Sequence, residues 1–368
     1  MYYHDFHGQA ISALGFGVLR LPMSQADPKQ VDRPAAQAVL DAAIAAGVNY
    51  FDTAYTYLNG DSERFLGEAL EKYPRESYFL ATKFYVKAGE DIEAMFEEQL
   101  RRLRTDYVDF YLLHGLDENT FGPYTDRERD YLGYILRQRE KGRVRYIGFS
   151  SHATPETLGR FLDLYDGYDM ALLQLNYLDW GLLKAEEQYR ILARHGIPAW
   201  VMEPLKGGRL STLNPAARDI LQRAAPGRSI SSWGFRFLMG LQNVHTVLSG
   251  MSTVEQVQDN AATFAAPDPL TQGEARALQQ AADAFFDDLG APCSACRYCC
   301  DTCPAGLDIP LLIQGYNERR ISGEAWRLVP FEQTKGAAAC IGCGACRSHC
   351  PQHIDIPKIM AELAAPPQ

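Results

Sequence analysis

The sequence predicts an α/β protein in which a closed (β/α)8 barrel is followed by a small, mainly α-helical, cysteine-rich domain. Apolar segments alternate with amphipathic segments at a period of roughly thirty residues, the length of one strand and helix unit. The apolar segments are nearly continuous, as strands of a parallel sheet covered on its outer face are. All nine cysteines lie between Cys293 and Cys350. These observations separate a barrel from a C-terminal domain of different composition.

The predicted elements begin with a hairpin over residues 1–11, with His7-Gly8 as its turn, and a first barrel strand over 13–20. The first helix, 34–46, ends at Gly47, a residue that suits a C-cap. The next strand ends at Asp52, and later strands cover 78–83, 108–114, 144–151, 170–177, 197–203 and 244–249. The later barrel helices cover 62–72, 91–104, 127–140, 154–165, 182–194, 229–240 and 253–262.

Eight such units favour a closed barrel of about 250 residues over a doubly wound open sheet. An open sheet that binds a dinucleotide carries a glycine-rich turn after its first strand. Gly15 and Gly17 lie inside the first predicted strand instead. The composition changes after Phe264, so we predict a barrel at 1–264, a linker and helix at 265–292, and a cysteine-rich domain at 293–368.

Charge and hydropathy argue against two classes of partner. The chain has 46 acidic and 36 basic residues, a net charge of −10, which phosphate-rich nucleic acid would repel. No apolar stretch is long enough for a membrane span, and the N-terminus lacks a signal-peptide pattern. Clustered cysteines at two-residue spacings are typical of metal ligation in a reducing compartment. We therefore expect a cytoplasmic protein with neither nucleic acid nor membrane as partner.

Four polar side chains stand at or just after the C-terminal ends of three successive predicted strands. Asp52 and then Tyr57 follow one strand, Lys83 ends the next, and His114 ends the third. Singly, each has an ordinary explanation, since a terminal lysine often reaches solvent and a lone histidine is usually a satisfied loop residue. Together they occupy the edge where barrel enzymes carry their catalytic groups.

The four residue types suit reduction of a carbonyl group. Hydride addition builds negative charge on the carbonyl oxygen, so a proton donor must stand beside it. The ordinary pKa of tyrosine is about 10, and we expect the Lys83 ammonium to lower that of Tyr57 while Asp52 keeps Lys83 charged. His114 is then expected to hydrogen-bond the carbonyl oxygen.

The motifs around these residues resemble those of the aldo-keto reductases. They are FDTAYTY with DSERFLGEAL, ATK, LLH, IGFSSH, LLQLNY, MEPLKGG and SGMS followed by QVQDN, within residues 11–262. The resemblance implies an NAD(P)H-dependent oxidoreductase on a (β/α)8 TIM barrel, acting on a small carbonyl or alcohol substrate. It also implies that Asp52, Tyr57, Lys83 and His114 are the catalytic tetrad, with Tyr57 as general acid.

The same resemblance implies the nucleotide contacts. They are Ser150, Ser151 and Gln174 at the carboxamide, Met202 at the ring, Leu205, Gly207 and Gly208 at the pyrophosphate, and Gly250, Ser252, Thr253, Gln256 and Asn260 at the adenosine. Members that prefer NADPH usually carry Lys or Arg at the adenosine end, so NADP(H) and NAD(H) both stay open. Ser252 and Thr253 have an alternative interpretation as caps of the last barrel helix.

Four aromatic residues and one proline in the loops over the catalytic face either line an aromatic-walled substrate pocket or pack the loops themselves. The candidates are Phe121, Pro123, Tyr124, Tyr177 and Trp180.

The cysteine-rich segment contains one motif twice. Cys293, Cys296, Cys299 and Cys303 with Pro304 spell C-x2-C-x2-C-x3-C-P, and Cys340, Cys343, Cys346 and Cys350 with Pro351 repeat it. This is the bacterial ferredoxin pattern, in which three thiolates hold one [4Fe-4S] cluster and the fourth reaches the other. We expect one cluster on Cys293, Cys296, Cys299 and Cys350 and a second on Cys340, Cys343, Cys346 and Cys303. Cys300 is left over, as a small apolar side chain or an alternative ligand.

The segment between the two copies contains a predicted helix over 311–321 and resembles the α-helical type of ferredoxin. The whole chain thus resembles the branch of the aldo-keto reductases that carries a C-terminal ferredoxin-like domain. Hydride transfer moves two electrons whereas a cluster moves one, which leaves three hypotheses. The clusters are structural or sense oxygen, or they bring electrons from a ferredoxin- or flavodoxin-like partner, or the barrel is a nucleotide-binding redox sensor with little turnover.

Overall fold

The chain folds into two compact units, each with its own apolar core. The first contains residues 1–211 and 228–271, and the second contains residues 212–227 and 272–368. The computed structural model describes residues 1–25, 30–288, 291, 293, 299–300, 302–322, 335–350 and 354–365.

The first unit is built on a closed barrel of eight parallel strands, as predicted. An antiparallel hairpin precedes the barrel, with Tyr3 opposite Ser12 and Phe6 opposite Gln9. The barrel strands neighbour one another in chain order, and the last pairs with the first. The strands are β1 (Tyr3–Phe6), β2 (Gln9–Ser12), β3 (Leu14–Gly17), β4 (Tyr50–Asp52), β5 (Phe79–Phe84), β6 (Val108–Leu116), β7 (Val144–Ser151), β8 (Met170–Gln174), β9 (Ala199–Met202) and β10 (Val244–Ser249).

Large side chains fill the barrel interior and close one of its ends. Tyr50, Phe110 and Trp200 are fully buried and lie in one cluster. The hairpin adds Phe6, whose ring centroid is 5.0 Å from that of Trp200 and 5.6 Å from that of Phe110. Because Phe6 approaches residues in the first half of their strands, the hairpin covers the N-terminal end of the barrel. The C-terminal ends of the strands are left for a site.

The helices follow the predicted periodicity with two exceptions. The predicted helices 127–140 and 182–194 begin later than expected, because Asp130 and Lys184 adopt left-handed backbone with φ of 46° and 52°. Helix α10 (Pro215–Ala224) belongs to the second unit. In the first unit the helices are α1 (Arg33–Ala45), α2 (Asp61–Leu70), α3 (Ile92–Leu103), α4 (Phe121–Thr125), α5 (Tyr131–Glu140), α6 (Pro155–Leu164), α7 (Asp179–Leu182), α8 (Ala185–Arg194), α9 (Arg209–Thr212), α11 (Ile230–Met239) and α12 (Val254–Thr263).

The second unit is helical in its described part, and it includes a helix that the sequence analysis missed. Helix α10 lies between β9 and α11 in sequence, yet it packs against α13 (Gln272–Asp288). The Asn214 side chain caps α10 and donates to the carbonyl of Ala284 at 3.0 Å. The helix predicted within 265–292 and the helix predicted over 311–321 are confirmed as α13 and α14 (Ile309–Ser322), and α15 (Ile356–Ala364) follows. No helix in the described ranges is long and apolar enough to cross a membrane.

Candidate active site and cysteine pocket

A buried ion pair joins two neighbouring barrel strands at their C-terminal ends. Asp52 ends β4 and lies opposite Ala81 of β5, which places Lys83 two residues further along the neighbouring strand. The Lys83 ammonium donates to Asp52 Oδ1 at 2.5 Å and to the Thr53 carbonyl at 2.6 Å. Lys83 is 0% exposed and Asp52 3% exposed. A lysine buried this deeply needs a charged partner, and Asp52 is that partner.

The pair keeps Lys83 charged. Burial favours the neutral amine, but Asp52 and Tyr57 outweigh it and raise the pKa of Lys83 above its ordinary value. Burial also raises the pKa of Asp52, against the lowering effect of the ammonium. Within the described residues Asp52 Oδ2 has no hydrogen-bond partner. The carboxylate therefore depends on Lys83 for its stabilisation.

Tyr57 lies beside this pair, and the turn that follows it has left-handed backbone. The Lys83 Nζ atom lies 4.9 Å from the centre of the Tyr57 ring. The next three residues, Leu58, Asn59 and Gly60, have φ of 50°, 55° and 81°. Left-handed backbone costs an L-residue such as Leu58 about 1–2 kcal/mol, so surrounding contacts must hold this turn.

Arg102 supplies such contacts from helix α3. Its guanidinium donates to the Tyr55 carbonyl at 3.2 Å and to Glu63 Oε2 at 3.0 Å. The same group lies so close to Gly60 that a Cβ there would be 2.6 Å from its Nη1 atom. Glycine at position 60 therefore permits both the backbone conformation and the approach of Arg102.

Burial outweighs Lys83 in setting the pKa of Tyr57, although Lys83 does lower that pKa as expected. Burial raises the pKa of Tyr57 above 10, and the charge and hydrogen bond of Lys83 offset only part of that rise, while Asp52 and Glu203 add to it. A sequence motif identifies the neighbouring cation, but it does not show how strongly burial removes water from the phenol. The phenol consequently stays protonated at neutral pH, which is the form that a proton donor requires.

His114 is the fourth member of the group, and the structure places it against Tyr57. The two ring centroids are 5.7 Å apart at an interplanar angle of 77°. Burial, with smaller effects of Lys83 and His152, lowers the pKa of His114 to about 3. Its Nδ1 atom is buried and has no partner in the described part of the chain. A neutral imidazole with an unused ring nitrogen is suited to hydrogen-bonding a ligand.

The aromatic side chains predicted over this face contact other protein groups, and Tyr177 and Trp180 both pack against Phe237. Tyr124 is 5% exposed, and its hydroxyl donates to the His114 carbonyl at 2.7 Å, so it supports the backbone of His114. Phe121 packs on Phe161, with a centroid distance of 6.5 Å. Sequence reasoning missed Tyr85, whose ring lies 5.1 Å from that of His114. Its spacing of two from Lys83 was the available signal, because alternate strand residues share a face.

The predicted carboxamide residues already have protein partners. Ser150 Oγ accepts from Gly115 N at 2.7 Å, and Ser151 Oγ accepts from Ala153 N at 3.2 Å. Gln174 lies between two side chains, with Oε1 3.1 Å from His152 Nδ1 and Nε2 donating to Asp179 Oδ2 at 3.0 Å. The three predicted residues therefore lie on the adjacent strands β7 and β8, with their polar atoms engaged locally.

The predicted pyrophosphate loop follows β9. Met202 pairs in register with Gln174, and Leu205 packs against the barrel core. Gly207 and Gly208 have φ of 66° and 94°, which favours glycine at both positions. A Cβ on Gly208 would meet nothing within 4 Å, so the backbone is open to a ligand there.

The predicted adenosine residues form the cap of helix α12. Thr253 Oγ1 accepts from Gln256 N at 3.3 Å, and Gln256 Oε1 accepts from Ser252 N at 2.7 Å. Asn260 donates to Ser249 Oγ at 3.1 Å. The alternative interpretation of Thr253 as a helix cap is confirmed.

The loop between β10 and α12 also contacts Arg20, a residue that the sequence analysis did not single out. The methylenes of Arg20 lie against Gly250, with Cβ 3.2 Å from where a Gly250 Cβ would be. The Ser252 hydroxyl donates to the Arg20 carbonyl at 2.7 Å. The loops after β3 and β10 are therefore linked through Arg20.

In the second unit, four cysteines from the two motifs line one cavity. They are Cys303 of the first motif and Cys340, Cys343 and Cys346 of the second. Apolar residues, including Leu307, Ile309, Ile356 and Met360, complete the lining. Burial raises the pKa of the Cys346 thiol, and the other three sulfurs add to the rise. A thiol donor set in an apolar pocket suits an iron–sulfur cluster chemically.

The other described motif cysteines pack around the same apolar core. Cys299 is 5% exposed, and Cys293, Cys300 and Cys350 are partly buried against it. None of the eight described cysteines forms a disulfide, and Cys296 lies outside the described residues. In the described ranges no group of three or more histidine, cysteine, aspartate or glutamate side chains is arranged to hold a metal ion. A four-iron cluster is larger than a single ion, so its ligands stand further apart than that arrangement requires.

Known proteins resemble the chain over both regions. The Aldo/keto reductase family matches residues 13–283, and the 4Fe-4S dicluster domain matches residues 292–354. An uncharacterized oxidoreductase, YqkF of Bacillus subtilis, is 27% identical over 73% of this chain and 92% of its own length. L-galactose dehydrogenase of Arabidopsis thaliana is 28% identical over 69% of this chain and 85% of its own.

Solved structures agree on the barrel. The holo form of aldo-keto reductase AKR11C1 from Bacillus halodurans has a TM-score of 0.63 and 27% identity, covering 76% of this chain and 96% of that one. An aldo-keto reductase from Klebsiella pneumoniae in complex with NADPH, at 22% identity over 77% and 96% of the two chains, has a TM-score of 0.61 and supports the fold alone. The protein is an oxidoreductase that belongs to the aldo/keto reductase family and carries a 4Fe-4S dicluster domain toward its C-terminus.

Proposed function

We propose that the protein reduces an aldehyde or ketone with NAD(P)H, or catalyses the reverse reaction, with Tyr57 as general acid. The observation that carries the proposal is the buried pair of Lys83 and Asp52 beside Tyr57 and His114, at the end of the barrel that the hairpin leaves open. Each side chain has a distinct part in holding the carbonyl oxygen and moving one proton to it.

The proton comes from the Tyr57 hydroxyl. Because the pKa of Tyr57 is raised, the phenol carries its proton at neutral pH and gives it up only as negative charge develops on the oxygen beside it. Lys83, held charged by Asp52, stabilises the phenolate that remains. Neutral His114 donates a hydrogen bond to the same oxygen and fixes its orientation.

The loops around this group fit a dinucleotide, which would supply the hydride when bound. Gly207 and Gly208 expose backbone where a phosphate would approach. Ser150, Ser151, Gln174 and Met202 would lie at the nicotinamide end, and Leu205, Gly250, Ser252, Thr253, Gln256 and Asn260 along the remainder. The NADPH named in the Klebsiella structure makes NADP(H) one candidate nucleotide.

We further propose two [4Fe-4S] clusters with crossed ligand sets. The cavity lined by Cys303, Cys340, Cys343 and Cys346 supports the second set, because it combines one cysteine of the first motif with three of the second. The first set is then Cys293, Cys296, Cys299 and Cys350. Thiolate ligands persist in a reducing compartment, which favours a cytoplasmic location.

An electron-transfer role is the second candidate function, and the surface around the cavity favours it over purely structural clusters. Ile341, which lines the cavity, is 71% exposed, and the neighbouring Cys343 is exposed. A cluster near the surface can exchange single electrons with a ferredoxin- or flavodoxin-like partner. The nucleotide-binding sensor remains the third candidate, and an intact group of four around Tyr57 favours turnover instead.

The Tyr57→Phe variant tests the reductase. Loss of a general acid lowers the rate by about 10²–10⁴-fold, while binding of NADPH or NADH should not change. Nucleotide affinity is measured by quenching of protein fluorescence, and turnover by nucleotide absorbance with a panel of aldehydes. Turnover at the wild-type rate would show that another group donates the proton.

The clusters are tested on anaerobically purified protein. Cys303→Ala should lower the iron content by about half if Cys303 holds one of two equal clusters, whereas Cys300→Ala is the matched control and should leave it unchanged. Adding NADPH or a chemically reduced ferredoxin then separates the electron-transfer and structural hypotheses. Loss of cluster absorbance with ferredoxin supports electron transfer, and unchanged absorbance with every donor supports a structural role.

A further inference from the structure

Four polar side chains form a buried polar network between the barrel wall and its outer helices. Glu63 belongs to helix α2, Gln99 to α3, Thr82 to β5 and Tyr111 to β6, and each is 0% exposed. Successive strand residues point to opposite faces, so Thr82 faces the helices while its neighbour Lys83 faces the barrel interior. The network therefore lies on the outer side of the strand that carries Lys83.

The hydrogen bonds of Gln99 fix the orientation of its amide. The Tyr111 hydroxyl donates to Gln99 Oε1 at 2.8 Å. The amide nitrogen donates to Glu63 Oε1 at 2.8 Å, to Thr82 Oγ1 at 2.9 Å and to the Lys83 carbonyl at 3.0 Å. A carboxylate oxygen and a carbonyl oxygen only accept, so the nitrogen must face them. One buried amide thus holds the backbone of Lys83 from outside the barrel.

Glu63 extends the same network to the turn that carries Tyr57. Its Oε1 atom accepts from Gln99, and its Oε2 atom accepts from Arg102 at 3.0 Å. Arg102 also donates to the Tyr55 carbonyl at 3.2 Å, and its guanidinium lies 4.3 Å from the centre of the Tyr55 ring. One carboxylate thereby connects the backbone two residues before Tyr57 to the amide that holds β5.

We propose that Glu63 and Gln99 are positioning residues for carbonyl reduction, and that together they set the distance between the Tyr57 phenol and the Lys83 ammonium. The inference rests on the proposed function, because those two groups must cooperate in proton transfer. Gln99 acts on the Lys83 carbonyl directly, and Glu63 acts on the other side through Arg102. Both are buried behind β5, so they work through the backbone rather than on the substrate.

The chemistry of the network suits this task. Hydrogen bonds to a carboxylate are stronger than those between neutral groups, and an interior with little water strengthens them further. Removing a donor leaves a buried acceptor without a partner, which favours movement of the backbone that carries it. The Lys83 Nζ atom lies 4.9 Å from the centre of the Tyr57 ring, and misplacing catalytic groups by about 1 Å can lower a rate about 10²-fold.

The first test replaces Gln99 by methionine, which keeps the length of the side chain but offers no donor. The matched control is Gln188→Met, because Gln188 is 6% exposed on helix α8 and donates to the Leu183 carbonyl at 3.2 Å, outside the network. In the full-length holoprotein we expect both substitutions to lower Tm, whereas only Gln99→Met should lower kcat, by about 10²-fold. Nucleotide affinity and the KM for the aldehyde should stay at wild-type values in both.

A double variant tests whether Glu63 joins the two ends. Arg102→Met removes the donor to the Tyr55 carbonyl and should also lower kcat. Because both donors meet at Glu63, Gln99→Met combined with Arg102→Met should lower kcat by less than the product of the two single losses. Gln188→Met combined with Arg102→Met should match Arg102→Met alone. Single losses that multiply in the first pair would overturn the connection through Glu63.

Crystal structures of Gln99→Met and Gln188→Met give a readout that needs no turnover. The distance from Lys83 Nζ to the centre of the Tyr57 ring, 4.9 Å in the wild-type chain, should change only in Gln99→Met. An unchanged distance, or a kcat no lower than that of Gln188→Met, would overturn the inference. If Gln99→Met does not fold, Arg102→Met replaces it in both measurements. A wild-type protein that reduces no aldehyde would refute the proposed function, and the distance alone would then decide the inference.

Discussion

Lys83→Met should damage stability and catalysis together, and the two losses can be separated. The substitution removes the ammonium 2.5 Å from the buried Asp52 carboxylate. Breaking a buried ion pair on one side costs about 3–5 kcal/mol, because a charge is left without a partner. For a domain of this size each kcal/mol lowers Tm by about 2–4 °C, so a fall of about 6–20 °C is expected.

The stability loss should depend on pH in a known direction. Burial already raises the pKa of Asp52, and without Lys83 nothing opposes that effect. The folded variant then binds a proton more tightly than the unfolded chain, so its stability is greatest below the ordinary carboxyl pKa and falls as pH rises. Thermal melts followed by circular dichroism should therefore show a smaller deficit against wild type at about pH 5 than at about pH 8.

The double variant Lys83→Met with Asp52→Asn is the control for this reasoning. It removes both charges, so most of the lost Tm should return, while carbonyl reduction should stay as low as in the single variant. A single variant that melts like wild type, or one whose deficit grows at low pH, would refute the buried ion pair as described.

Three further outcomes follow from the same site. Because the pKa of Tyr57 is raised above 10 and that of His114 lowered to about 3, the single-turnover rate of reduction should be flat between about pH 6 and 9, and an inflection inside that range would contradict the assignment. Tyr124→Phe removes the donor to the His114 carbonyl and should cost about 1 kcal/mol of stability, lower kcat and leave nucleotide affinity unchanged; a change in affinity alone would place Tyr124 elsewhere. Gln256→Ala breaks the cap shared with Thr253 and should lower the unfolding free energy by about 1 kcal/mol and also weaken nucleotide binding, since Gln256 is proposed to lie along the nucleotide; unchanged nucleotide affinity would place the nucleotide away from Gln256.

The sequence sufficed for the barrel and for the juxtaposition of Asp52 and Lys83. Both follow from local patterns, since strand ends in a parallel barrel meet at one edge whatever the loops do. The direction of the Tyr57 pKa did not follow, because it depends on how much protein surrounds the phenol. No local sequence pattern shows how deeply a side chain is buried.

The hydrogen-bond partners of Gln174 could not be predicted from the sequence either. His152 follows β7 and Asp179 begins α7, and only the folded chain shows that they fix the orientation of one amide between them. Helix α10 was missed for a related reason. Its apolar face is short, and it is completed by α13, which lies far along the chain.

That helix bears on how the protein can be dissected. The polypeptide leaves the barrel after residue 211, builds α10 into the cysteine-bearing unit, and returns at residue 228 to finish the barrel. A truncation after residue 271 would keep α10 but delete α13, so Ala217 and Leu221, both fully buried in the intact chain, would face water. The cysteine-bearing unit is therefore interleaved with the reductase rather than appended to it. An isolated barrel would be obtained cleanly only by also replacing residues 212–227 with a short polar bridge.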